Sequence, residues 1–355
     1  MKRSMDTLLH LKSLLAPLKA GRGSLAVEAA TLGLVGPSDA QGLAPLWFDQ
    51  LSGVEPATAN AARLRHALWP LRQAAAANYL LQRRTAQRVC QCLTQAQVPF
   101  ALFKGFATRE RLYPDPSVRP AVDLDVLVAP AFRDAAIGAL TARKLRFHGE
   151  NATISHEAVL RDGHVSVDLH WGLLRPGRSR FELAPMLLDT IRLNGEFPVL
   201  SDDANLLVML VHPAFTKHVN GRTARLIRVV DLDRMLRTTA PDWDWILSLI
   251  DAAGLRTAAW AVLHWQRTLM DTPLDPFVVS YLEPGPRKRR YLAYWLEHQL
   301  PARLGSIPGL VQGAFTLALH ERPADAGRAI ARLVRARWES GSRLKHLQRL
   351  SRTLD

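Results

Sequence analysis

Ser117-Val-Arg-Pro-Ala-Val-Asp-Leu-Asp-Val-Leu-Val128 decides how this chain is read. Its apolar, β-branched end has the texture of a strand, and successive side chains of a strand point to opposite faces. Asp123 and Asp125 therefore share one face, while Val122, Leu124 and Val126 point into a core. Two carboxylates so placed repel each other unless a cation sits between them. A divalent metal ion is the natural partner.

Upstream, Pro99-Phe-Ala-Leu-Phe103 is a short buried-strand pattern that ends in Lys104-Gly105. Glycine there lets the backbone approach a phosphate closely, and lysine can neutralise it. A helix-like stretch follows, then a loop with Pro114, Pro116 and Pro120. Arg119 in that loop either steadies it as a charge partner or binds a triphosphate.

Downstream, Pro130 opens a helix that runs to about Arg143. Val165-Ser-Val-Asp-Leu-His-Trp171 then alternates, with Val165, Val167 and Leu169 on one face and Ser166, Asp168 and His170 on the other. If the two acidic strands are neighbours, Asp123, Asp125 and Asp168 converge. Three acids holding hard cations suit two-metal phosphoryl or nucleotidyl transfer, with the ions about 3.5–4 Å apart. Oxygen-only ligands favour Mg2+, with Mn2+ as the alternative ion. His170 can orient a carboxylate, bind a phosphate or simply hydrogen-bond.

Composition bounds the rest. The 355 residues carry 46 basic and 32 acidic side chains, a net charge of +14 that favours anionic ligands without specifying a fold. Cys90 and Cys92 stand two apart in a helical stretch, where side chains do not face each other, so a disulfide is not expected and a reducing cytosol is. Lys2 and Arg3 precede a stretch interrupted by His10, Lys12 and Lys19, which is unlike a secretory signal, so cytoplasmic residence is expected. Residues 304–319 contain Pro308 and Gln312 and fall short of the ~20 apolar residues of a membrane span, leaving at most a surface contact.

Four stretches organise the chain. Residues 1–95 read as helices, with leucines at 8, 9, 11, 14 and 15 and an alanine-rich run over 57–77. Residues 96–200 form the catalytic core. Residues 201–285 are helices packed on it, opened by the N-cap signal Ser201-Asp-Asp203. Lys217-His218 beside Asn220-Gly221 marks a helix end, where a cation caps carbonyls or meets a ligand. Trp243 and Trp245 read as core residues rather than a stacking platform. Residues 286–355, from Arg287-Lys-Arg-Arg290 onward, are a basic helical tail suited to weak polyanion contact.

Phe103-Lys-Gly, Tyr113-Pro, Arg119-Pro, the Asp123 strand, Val167-Asp-Leu-His-Trp171, residues 207–212, Val230-Asp-Leu232 and Asp242-Trp243 together resemble the uncharacterised nucleotidyltransferases of the polymerase-beta-like superfamily. The resemblance covers about residues 95–270. It implies an α+β fold, a mixed sheet flanked by N- and C-terminal helical regions. It also implies a metal-binding triad of Asp123, Asp125 and Asp168 and a nucleoside triphosphate donor, ATP or another. The implied reaction moves AMP to a hydroxyl of an acceptor (peptide, protein, sugar or tRNA) and releases pyrophosphate. His212, Lys217, His218 and Arg228 would face the nucleotide cleft in such an enzyme. One departure stands out: the superfamily carries Gly-Ser or Gly-Gly before the acidic strand, and this chain has Gly105-Phe106 and a longer spacing. Lys104, Gly105, Arg119, His170 and Lys217 are then the candidate nucleotide contacts. The rival readings are a phosphotransferase on the same metal site and a polyanion-binding scaffold, although no aromatic-basic recognition motif or zinc-finger spacing is present.

Overall fold

The computed structural model describes residues 2–19, 33–51, 59–150, 156–215, 226–299, 309–332 and 334–335. The N-terminal helices are α1 (Lys2–Lys19), α2 (Val35–Ala40), α3 (Ala44–Leu51) and the long α4 (Ala59–Gln95). Leu11, Leu14 and Leu15 of α1 are buried, and the Trp47 indole of α3 donates to the Leu14 carbonyl at 3.1 Å. The leucine spacing thus serves a packed face.

Beyond α4 comes a seven-stranded mixed sheet in the order β3-β4-β5-β2-β1-β7-β6. Its strands are β1 (Phe100–Phe103), β2 (Asp123–Val128), β3 (Arg146–Glu150), β4 (Glu157–Asp162), β5 (Val165–His170), β6 (Arg192–Asn194) and β7 (Phe197–Val199). The acidic strand β2 lies between β1, antiparallel to it, and β5, parallel to it. Asp123 is opposite Ser166 and Asp125 opposite Asp168, so the two acidic faces are one. Helices α5 (Lys104–Leu112), α6 (Arg133–Ala142) and α7 (Ala184–Leu188) connect these strands.

The alternation of β2 divides two cores. Leu124, Val126 and Val128 pack with Val167 and Leu169 beneath Ala86, Val89 and Leu93 of α4 and Ala136 and Leu140 of α6. The opposite face turns Asp123 and Asp125 toward α8 (Asp202–Phe215), α9 (Ile227–Thr238) and α11 (Arg256–Leu269), with α10 (Trp243–Ala253) packed on α8 and α11. Val122 departs from the expected core position. It is 60 % exposed, because it precedes the ladder, whose register with β5 begins at Asp123.

Capping follows the sequence. The Ser201 hydroxyl accepts from the Ala204 amide at 3.2 Å, and Asp202 and Asp203 place negative charge at the positive end of α8. Trp243 and Trp245 pack half-buried against the core. The chain continues through α12 (Pro276–Leu282), α13 (Pro286–Tyr294) and α14 (Gly309–Ala318). Among the described residues, no helix is long and apolar enough to cross a membrane.

Candidate active site

The site begins at the turn from β1 into α5. Phe103 is extended, and Lys104 then takes φ +52, a left-handed conformation that costs a non-glycine residue energy. That turn brings the lysine ammonium to the acidic face of the sheet. Its Nζ lies 2.9 Å from Asp125 Oδ1, 3.1 Å from His170 Nε2 and 4.7 Å from the centre of the Phe103 ring. Gly105 matters through the side chain it lacks, since a Cβ there would sit 2.9 Å from Arg119 Nη1 and 3.3 Å from Ala121 Cβ. Only glycine lets the proline-rich loop lie this close to α5.

Asp125 is the hub. It is 5 % exposed, and His170 Nε2, itself on a side chain 1 % exposed, approaches its Oδ1 to 2.8 Å. One strand over, Ser166 Oγ donates to Asp168 Oδ1 at 3.0 Å. Donor atoms of Asp125, Asp168 and His170 all lie within 4.8 Å of one another. Asp123 is outside that compact group and stands on the cavity wall.

The electrostatics are uneven. Burial opposes ionisation of Asp125, but Lys104 and His170 outweigh it and hold this carboxyl well below the usual range. Asp123 is pushed up to about 6, first by the Asp125 charge, then by burial and Asp168. Asp168 is raised by burial and by Asp125. The cation expected between the carboxylates is here the ammonium of Lys104, one positive charge among three acids. A divalent ion fits this set of carboxylate oxygens, around a place that already attracts a cation.

A cavity of about 290 Å³ opens in front of Lys104, Asp123 and Asp125. Asp168 and His170 do not line it; they stand beside Asp125 on the neighbouring strand β5. Its far wall is built by α8, α9 and α11, which contribute Asn205, His212, Arg228, Trp265 and Gln266. Of these, Asn205, Trp265 and Gln266 carried no signal in the sequence, because a wall assembled from three helices has no spacing rule.

Arg119 lines the cavity but is committed elsewhere. Its Nη2 and Nε donate to the two oxygens of Asp231 at 2.6 and 3.2 Å, and the Tyr113 hydroxyl donates to Asp231 Oδ1 at 2.7 Å. Three sequence fragments, Tyr113-Pro, Arg119-Pro and Val230-Asp-Leu232, thus meet in one buried network. Arg228 differs. Burial and then the charge of Arg119 push its guanidinium down to about 10, and among the described residues it makes no hydrogen bond or ion pair. Phe106, where the superfamily has a small residue, is fully buried edge-on against Phe197 at 5.1 Å, away from the cavity. Lys217 and His218 lie outside the described residues.

The fold thus sets β2 between β1 and β5, with acids on one face of two adjacent strands. Residues 34–271 match the model of the family described as uncharacterised nucleotidyltransferase, and the chain belongs to that family. No curated protein matches it.

Proposed function

We propose that this chain is a Mg2+-dependent nucleotidyltransferase that moves AMP from ATP to a hydroxyl of an acceptor and releases pyrophosphate. The observation that carries this reading is the cluster of charge at the cavity: Asp123 and Asp125 on its wall with Asp168 on the adjacent strand, Lys104 among them, and Arg228 on the same wall with no hydrogen bond among the described residues. On this reading residues 96–200 are the catalytic core, residues 201–285 form the far wall, and the remaining stretches are helical flanks.

Asp123, Asp125 and Asp168 would hold the metal, with His170 orienting Asp125. An ion held there would lower the pKa of the attacking hydroxyl and neutralise triphosphate charge. Lys104 and Arg228 supply positive charge to the phosphates, and Gly105 and Arg119 shape the wall beside them. The acceptor oxygen bonds to the α phosphorus, the bond to the bridging oxygen of the β phosphate breaks so that pyrophosphate leaves, and the hydroxyl proton passes to Asp123, the carboxyl of raised proton affinity on the cavity wall.

Incubation with Mg2+, fractionated peptide, protein, sugar and tRNA acceptors, and ATP labelled at the α or γ phosphorus tests the proposal. It predicts α label on an acceptor and γ label in pyrophosphate, both lost in Asp125→Ala. Label transferred from the γ position would make the chain a phosphotransferase. Nucleotide binding that is absent, or unchanged in Asp125→Ala, would overturn the metal site altogether.

A further inference from the structure

The acidic sheet carries a second group of ligand-type side chains on β4 and β5. β4 and β5 are antiparallel, with Glu157 opposite His170, so both side chains stand on one face. His156 precedes them, held by the Trp171 amide donating to its carbonyl at 3.0 Å. Donor atoms of His156, Glu157 and His170 all lie within 4.8 Å of one another.

His170 is shared by both groups, through opposite sides of its ring. Nε2 is 2.8 Å from Asp125 Oδ1. In the tautomer with the proton on Nε2 the ring donates to Asp125 and leaves Nδ1 a bare lone pair, while Lys104 Nζ also approaches Nε2, at 3.1 Å. That Nδ1 is buried, makes no hydrogen bond, and lies 3.3 Å from Glu157 Oε2. His156 Nε2 lies 3.7 Å from the same oxygen. A buried, unbonded imidazole nitrogen beside a carboxylate oxygen, with a second imidazole within reach of both, is an arrangement that a cation completes.

We infer that His156, Glu157 and His170 form a second metal site, for a borderline transition ion such as Zn2+, joined to the acidic site by the His170 ring. Two imidazoles and one carboxylate are a ligand set that zinc takes and magnesium does not. Glu157 is half-exposed, which gives the ion a path from solvent and leaves a position for water. The chain Asp125···H–Nε2–His170–Nδ1–metal is then a carboxylate–histidine–metal arrangement, in which the ion fixes the tautomer that holds Asp125. This site does not depend on the reaction proposed above.

Co2+ titration of the full chain, followed by visible absorption and X-ray absorption, tests it. The expected result is one tightly bound ion with two imidazole ligands and the strong visible bands of four-coordination. Affinity should fall at least about tenfold in His156→Ala and in Glu157→Gln. Asp168→Asn, which removes a ligand of the acidic group, should leave it unchanged. Glu157 is at the surface, so its variant separates ligand loss from misfolding. Wild-type binding without imidazole scattering, or equal affinity in both variants, would overturn the inference whether or not the chain transfers nucleotides.

Discussion

Two buried ion pairs flank the cavity, and they differ in how their charge is balanced. Lys104–Asp125 and Arg119–Asp231 are both short, at 2.9 and 2.6 Å, and both are largely hidden from solvent. Asp231 is fully answered: a forked guanidinium takes both oxygens and Tyr113 donates a further hydrogen bond. Asp125 is not, because Asp123 and Asp168 add two acids whose proton affinity stays raised even though Lys104, Arg228 and His170 act on the group. The balanced pair holds the proline-rich loop against α9; the unbalanced one is built to meet something that arrives with charge.

The largest expected effect breaks the balanced pair. Asp231→Ala leaves Arg119 buried without its partner and should cost about 3–5 kcal/mol of stability. Denaturant titration of the folded chain measures it. A loss below about 1 kcal/mol would mean that Arg119 finds another partner.

Asp123→Asn should do the reverse. It relieves the repulsion from Asp125, so stability should hold or rise, while transfer falls about 10²–10³-fold through the lost charge. A variant that is both unstable and active would erase the distinction between the two regions. Gly105→Ala sharpens it from the other side, since the new methyl presses on Arg119 Nη1 and on Ala121. It should destabilise by about 1–3 kcal/mol and weaken ATP binding by moving the loop; calorimetry reads both.

The smallest effect is a surface control. Burial would raise Asp202, but hydrogen bonds from Arg111 and Arg192 outweigh it and lower its pKa. This carboxylate is ionised more readily in the folded chain than in the unfolded one. Its contribution is therefore present above the unfolded value of about 3.9 and lost as pH falls through the lower folded value. Thermal melts of Asp202→Asn should match wild type at strongly acid pH and lie below it at neutrality, by less than about 1 kcal/mol.

Much of this was legible in the residues, for physical reasons that can be named. Period-two alternation placed Asp123, Asp125 and Asp168 on faces that the register of β2 and β5 then joined. Ser201 and Pro130 marked helix starts through capping and a fixed φ. Four strands escaped. β6 and β7 have three residues each, and β3 carries Arg146, His148 and Glu150 in a pattern that does not look buried. β4 did have a signal, Asp162-Gly163 with glycine at φ +61, the mark of a tight hairpin into β5. Missing it hid His156 and Glu157. The pairing of Arg119 with Asp231 spans 112 positions, and no local rule reaches that far.

ATP binding by isothermal titration calorimetry, with and without Mg2+, in the wild-type chain and in Asp125→Ala tests the metal-dependent nucleotide site most directly. Binding should require Mg2+ and be lost in the variant. Mg2+-independent binding of equal strength in both chains would contradict it.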